Sequence, residues 1–354
     1  MRSLIAAAVA AAGVAALLPA PAASKLHKSP TMLGDCTLVA RPGDGLQRLV
    51  ARLRPGQTGC LAPGDYNIRR LILNVPGAPK APIVLRSLMS NRPATLHGVV
   101  WLSKSADYWV VQGLRIDGRN PWNLPSPIVN GSHSVWRRND VSNPGSGDGT
   151  QPYGGGICFN LGQTDSYGYA TDTIIEQSRI HDCGISNNHN HGIYAVATSG
   201  TTIIRDNWIY RNGDRGIQLY PAGEHILITH NVIDGNGSGI IFSGLGSLTS
   251  RDVVVSRNII SNSRNRWNVE SWYPDGTPIG TDNLVVRNCL WADSPNDYYN
   301  SRGGIGPAVG FAVGAGNLVQ QPRFLGSNRG DLALRPTSGC KGFGPSVQPP
   351  VWRR

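Results

Sequence analysis

Short aliphatic stretches recur along the chain, and most of them end alike: PIVLRS, YWVVQGLRI, SHSVWRRNDV, DTIIEQSRI, TTIIRDNWI, HILITHNVI, RDVVVSRNII and DNLVVRNCL. Period-two alternation turns one column of them inward, Ile175, Ile204, Ile228, Val255 and Val285. A second inward column follows, Ile180, Ile209, Ile233, Ile260 and Leu290. Between the two stands a polar column, Asn139, Asn207, Asn231, Asn258 and Asn288, with Ser178 and Leu114 in the same place in weaker units. From Gly192 to Asn262 the chain says nearly the same thing three times, and the opening glycines Gly192, Gly216 and Gly239 are 24 and 23 residues apart. That period fits one turn of a parallel β-solenoid. Each unit is too small to bury its own apolar face, so stacked neighbours must make the core. A buried Asn at every bend can bond the backbone and its neighbours above and below, which predicts a structural asparagine ladder.

The ends read differently. Residues 1–22 have the form of a secretory signal, with Arg2, an apolar run from Leu4 to Leu18 and Ala20-Pro21-Ala22 as a cleavage site. Residues 23–34 follow as a flexible leader. Residues 35–66 hold a cap and first strand, because Leu46, Leu49, Val50 and Leu53 fall at i, i+3, i+4 and i+7 of a short helix. Such a helix would cover the open first coil. The coils are expected over 67–343 and a tail over 344–354. No later stretch is long and apolar enough to span a membrane, so the protein is expected to be secreted or periplasmic.

Six cysteines in an oxidising compartment invite pairing. Cys36 with Cys60 would close the N-terminal segment, Cys158 with Cys183 would link coils, and Cys289 with Cys340 would tie the C-terminal end. Six cysteines allow fifteen connectivities, so the arrangement stays open. No CxxC spacing exists, which disfavours zinc. The net charge of +11, carried mostly by Arg, points on an exported protein to acidic polysaccharide as partner rather than nucleic acid. Nothing in the sequence calls for an oligomer, so a monomer is expected.

The Gly-Ile openings, the Asn column, the segment Leu61-Ala62-Pro63-Gly64-Asp65-Tyr66 and the closing QPRFLGSNRGDLALRPTSG together resemble the right-handed parallel β-helix (pectate-lyase-like) superfamily of exported carbohydrate-active proteins. The resemblance covers roughly residues 36 to 343. It implies an all-β, right-handed parallel β-helix with a short N-terminal capping helix. It is specific for fold and weak for reaction, because this fold hosts lyases, epimerases, hydrolases and binders. The hydrolases of the group carry paired acids that this chain lacks, and its lysine-dependent lyases need a cleft Lys that the central coils lack. Calcium-dependent members cluster Asp on the groove, whereas the acids here are dispersed. No metal ligands are therefore assigned, and Ca2+ is left open.

In the superfamily, substrate lies along one face of the stacked strands. With Ile157, Ile193, Ile217 and Ile240 turned in, Gly156, Gly192, Gly216 and Gly239 are expected to face out as a shallow floor. In-register coils would put His191 beside Arg215, Asn190 beside Asp214 and His189 beside Gly213. Imidazole and guanidinium at that spacing suit abstraction of a sugar C5 proton next to a carboxylate. His189 or His191 would be the base, at its ordinary pKa, Arg215 the neutraliser of the acid group and Tyr194 the proton donor to the leaving oxygen. Asp214, Gln218, Tyr220, Glu270 and Trp272 are the candidate substrate contacts, with Tyr273 a further aromatic. His230, Asp206 and Arg257 read as a surface charge row, and His181-Asp182 as support for the patch at most. The leading expectation is a polysaccharide lyase acting on an acidic, uronic-acid-containing glycan by β-elimination. The alternatives are a glycoside hydrolase using Glu270 with Asp214, a C5-epimerase, or a noncatalytic glycan-binding β-helix.

Overall fold

The structure, a computed structural model, describes residues 35–145, 155–163, 166–185, 188–291 and 304–349. The signal and leader expected over 1–34, and the last five residues of the tail, lie outside the described residues. The rest is a right-handed parallel β-solenoid. One face is a sheet of eleven strands from Leu38–Ala40 to Ala312–Val313. The other two faces join into seventeen strands, because the long strands Gly64–Leu73 and Ala94–Leu102 turn a corner and feed both. At that corner Arg69 has φ 45° opposite Gly98, where a Cβ would lie 2.6 Å from the Arg69 carbonyl oxygen.

Both aliphatic columns are fully buried, as their alternation requires. The ladder is continuous along the solenoid. Backbone N–H of Asn139 donates to the Ser178 hydroxyl (3.1 Å), that of Ser178 to Asn207 Oδ1 (3.0 Å), and the chain continues through Asn231, Asn258 and Asn288 to Asn317. The residue before each rung, Arg138, Gln177, Asp206, His230, Arg257 or Arg287, has φ between 53° and 57°. The expected charge row of Asp206, His230 and Arg257 is thus a column of left-handed corners, a conformation that Asp and His tolerate better than most residues. A second, shorter ladder of Asn212 and Asn236 runs at another corner.

The capping helix forms over Leu46–Arg52, with Leu46, Leu49 and Val50 buried on the first coil. Gln47 clasps the Ile72 backbone at both N–H and C=O. The C-terminal end departs from expectation. Coil strands stop at Leu318–Val319, and an antiparallel hairpin of Phe324–Gly326 and Asp331–Leu334 folds back over the outside of the stack. Leu332, Leu334, Phe343 and Val347 cover the outward column Trp208, Val232, Ile259 and Cys289. Residues beyond 343 belong to this cover: Gly344 N–H bonds the Arg257 carbonyl and Ser346 N–H bonds Asp206 Oδ1. Three disulfides form, Cys36–Cys60, Cys158–Cys183 and Cys289–Cys340, the last fastening the cover.

Candidate functional site

One face of the solenoid carries an outward column that runs in register Ile128, Asn160, Tyr194, Gln218, Ile241, Glu270. The expected register holds from Tyr194 onward and is two residues out before it, since Phe159 rather than Ile157 pairs with Ile193. Ile157 instead lines the groove. The glycine floor is also corrected. A Cβ at Gly192, Gly216 or Gly239 would come within 2.9 Å of the core methyls of Ile209, Ile233 or Ile260. These glycines let the backbone approach the core and its polar neighbours closely instead of paving the outer surface.

A groove of about 830 Å³ runs along the column. His189, His191, Tyr194, Arg215, Gln218, Tyr220, Glu270 and Trp272 all line it. Stacking brings His191 opposite Arg215 and Asn190 opposite Asp214, with the Gly192 N–H on the Arg215 carbonyl at 3.0 Å and the Asp214 N–H on the Asn190 carbonyl at 2.7 Å. Tyr194, Tyr220 and Trp272 form an aromatic track, with centroids 6.5 Å and 6.2 Å apart along it, and Trp272 is 54% exposed. Tyr273 is not part of it. It packs on the core and its hydroxyl lies 3.3 Å from Ser250 Oγ.

Asp214 is absent from the groove lining among the described residues and lies beneath it, its side chain 4% exposed. It forms short ion pairs with Arg215 Nη1 and with Arg266 Nη2. Arg266 Nε also bonds Glu270 Oε1 at 3.1 Å, Arg215 Nε stands 3.6 Å from the same oxygen, and Ser238 Oγ donates to it at 2.7 Å. Two guanidinium groups and two carboxylates therefore balance in one buried cluster. Both carboxylates sit on the same side of the groove in the grip of the same arginines, so they do not flank a sugar ring as a hydrolytic pair must. The same engagement leaves no free carboxylate set for a divalent cation here. Among the described residues no group of three or more acidic, His or Cys side chains is placed to hold a metal.

Sequence reasoning missed Arg266 and Asn188, whose Oδ1 accepts from Arg215 Nη1 at 2.7 Å. Arg266 stands four residues before Glu270, a spacing that signals an ion pair only if the segment is known to turn.

Burial and the neighbouring Arg215, His189 and Arg266 hold His191 well below the ordinary histidine value, so the expectation of an unshifted pKa is corrected. Its Nδ1 lies 3.5 Å from Asp214 Oδ2 with no hydrogen-bond partner among the described residues. Burial, aided by Tyr220 and opposed by Arg215, raises the Tyr194 phenol far above its usual value. Burial also raises the Asp214 carboxyl, an effect the two guanidinium groups only partly offset. A neutral imidazole thus stands beside a firmly protonated phenol, their ring centroids 5.2 Å apart. His181 lies on a different face, Nε2 at 2.8 Å from Asp140 and Nδ1 at 2.7 Å from Asp182, and stacks on Tyr210. It does not touch the groove lining.

A family model described as the right handed beta helix region matches residues 128–289. Among solved structures, an alginate lyase from Paenibacillus sp. str. FPU-7 is similar at 16% identity and a TM-score of 0.54, over 76% of this chain and 98% of that one. A rhamnogalacturonan lyase is similar at 12% identity and a TM-score of 0.53, over 84% of this chain and 94% of that one. No curated protein matches the chain in sequence.

Proposed function

We propose that this right-handed parallel β-helix, whose residues 128–289 match the right handed beta helix region, is an exported polysaccharide lyase that cleaves a uronic-acid-containing glycan by β-elimination in the Tyr194–Arg215 groove. The observation that carries this reading is the pairing, on one groove wall, of an imidazole held neutral and a phenol held protonated, next to a guanidinium. β-Elimination draws on a base, an acid and stabilisation of the carboxylate charge, roles that these three groups can fill.

The uronate carboxylate docks on Arg215, whose Nη1 is engaged by Asp214 and Asn188 while Nη2 has no protein acceptor among the described residues. His191, taken in its Nδ1–H tautomer with Nδ1 3.5 Å from Asp214 Oδ2, presents the lone pair of Nε2 and takes the C5 proton. The C5–H electron pair becomes the C4–C5 double bond and the C4–O bond breaks. Tyr194 gives its proton to the departing oxygen and is reprotonated by the imidazolium, which balances the cycle. Negative charge that spreads into the carboxylate during the step meets Arg215. Asp214 is a positioning residue, holding the Arg215 guanidinium in place. Tyr220 and Trp272 stack neighbouring sugars. The three disulfides favour an oxidising compartment for this work.

The test is to supply alginate, polygalacturonate and glycosaminoglycans to the purified chain and follow ultraviolet absorbance of the new double bond. Growth of that absorbance, lost in His191→Ala and Tyr194→Phe, supports the reading. Reducing ends that accumulate without it would replace a lyase by a hydrolase.

A further inference from the structure

The Tyr194 column does not stop at Ile128. It continues in register to Trp101 and Ile72 on the long N-terminal strands, so Trp101 stands three strand steps from Tyr194 on the same face. At about 4.8 Å per step that is roughly 14 Å. Here the surface changes character. The Arg70 guanidinium lies 5.8 Å from the Trp101 ring and 5.5 Å from that of Trp122, and the Arg69 guanidinium lies 5.4 Å from Trp122. Trp122 is 40% exposed. It belongs to the same excursion as Leu124 and Pro125, which line the groove beside Ile128, so groove and cluster adjoin.

The charge pattern separates the two ends. Arg215 and Arg266 are balanced by Asp214 and Glu270, whereas Arg69 and Arg70 make no ion pair among the described residues. A guanidinium lying over an indole keeps its N–H edge free, and that edge matches a carboxylate bidentately. An exposed indole face beside it suits the C–H face of a sugar.

Resting on the reading that the groove takes a uronate chain, we propose that Arg69, Arg70 and Trp122 form a distal acidic-sugar subsite. It binds a carboxylate-bearing residue of the same glycan several sugars away from the bond broken. Charge selection and preference for long chains then reside at this end, while the balanced cluster at Arg215 does the chemistry.

The experiment uses the whole chain and isothermal titration with uronate oligosaccharides of graded length, polygalacturonate and its methyl ester. Arg69→Gln/Arg70→Gln is compared with Arg52→Gln/Arg92→Gln, an exposed pair that changes net charge equally, and with Trp122→Ala. Unshifted melting temperatures confirm that each variant is folded. Loss of about tenfold in affinity for the acidic polymer, with trisaccharide binding unchanged, the ester indifferent and the control pair unaffected, is the expected result. Wild-type affinity for the polymer in Arg69→Gln/Arg70→Gln, an equal loss in the control pair, or no uronate binding at all would overturn the subsite. If the length-dependent loss occurs but no unsaturated product ever forms, the subsite stands and the elimination chemistry falls.

Discussion

Replacing Arg215 with Gln perturbs stability, a neighbouring titration and the proposed reaction together. Its side chain is 10% exposed and reaches Asp214, Asn188 and, at 3.6 Å, Glu270. Removing one partner of a buried ion pair costs about 3–5 kcal/mol when the other is left alone. Here Asp214 keeps Arg266, and Glu270 keeps Arg266 and Ser238, so about 2–3 kcal/mol is expected in urea denaturation. After burial, Arg215 is the largest influence holding His191 down. The His191 pKa must therefore rise in the variant, read from the imidazole carbon–proton signals by NMR. Loss of one oxyanion-type donor costs about 10²–10³-fold in kcat, measured by the double-bond absorbance. An unmoved His191 titration with wild-type stability would refute the charge cluster itself. A moved titration with unchanged kcat would refute only the catalytic role of Arg215.

Asn231→Ala strips acceptors or donors from Asn207, Ile204 and Asn258 inside the stack and should cost about 3–6 kcal/mol, while Asn317→Ala at the less buried end costs far less; equal losses by denaturation would argue against a ladder. His191, depressed by burial, contributes stability that is full above the unfolded histidine value near 6.5 and falls away as pH drops below it. His181 is also desolvated, but hydrogen bonds to Asp140 and Asp182 outweigh this and raise it, so its contribution is full below about 6.5 and is lost as pH climbs through the raised value. Denaturation midpoints across pH should show both limbs, with His181→Gln flattening only the alkaline one. Cys289→Ser with Cys340→Ser opens a 51-residue link, costs up to about 4 kcal/mol and lets the C-terminal cover lift from Trp208; unchanged tryptophan fluorescence and stability would contradict that role.

The solenoid and its main ladder were legible because both repeat: every coil restates the same aliphatic and Asn positions, so stacking follows from period alone. The Arg215–His191 juxtaposition was legible for the same reason. Where the period lapses, so does legibility. The expected register slipped by two residues before Tyr194, because the excursion carrying Ile157 breaks the spacing. The glycine floor failed because the backbone at Gly192, Gly216 and Gly239 packs against Ile209, Ile233 and Ile260, leaving no room for a Cβ, a closeness that alternation alone does not reveal. Asp214 was expected to meet substrate, but two guanidinium groups draw it below the surface, one of them from Arg266, 52 residues on. The C-terminal cover carries no repeat, although its apolar residues match the outward Trp208, Val232 and Ile259 that solvent would otherwise meet. The second ladder had a signal, the Asn-Gly pairs at 212–213 and 236–237, that was available and unused.

The most direct measurement is a crystal structure of His191→Ala with a bound uronate oligosaccharide. The sugar chain should run along Tyr194, Tyr220 and Trp272, one carboxylate on Arg215 Nη2 and its C5 hydrogen facing the space the imidazole vacated. A chain bound on another face, or lying in the groove with every carboxylate turned away from Arg215, would contradict the elimination site.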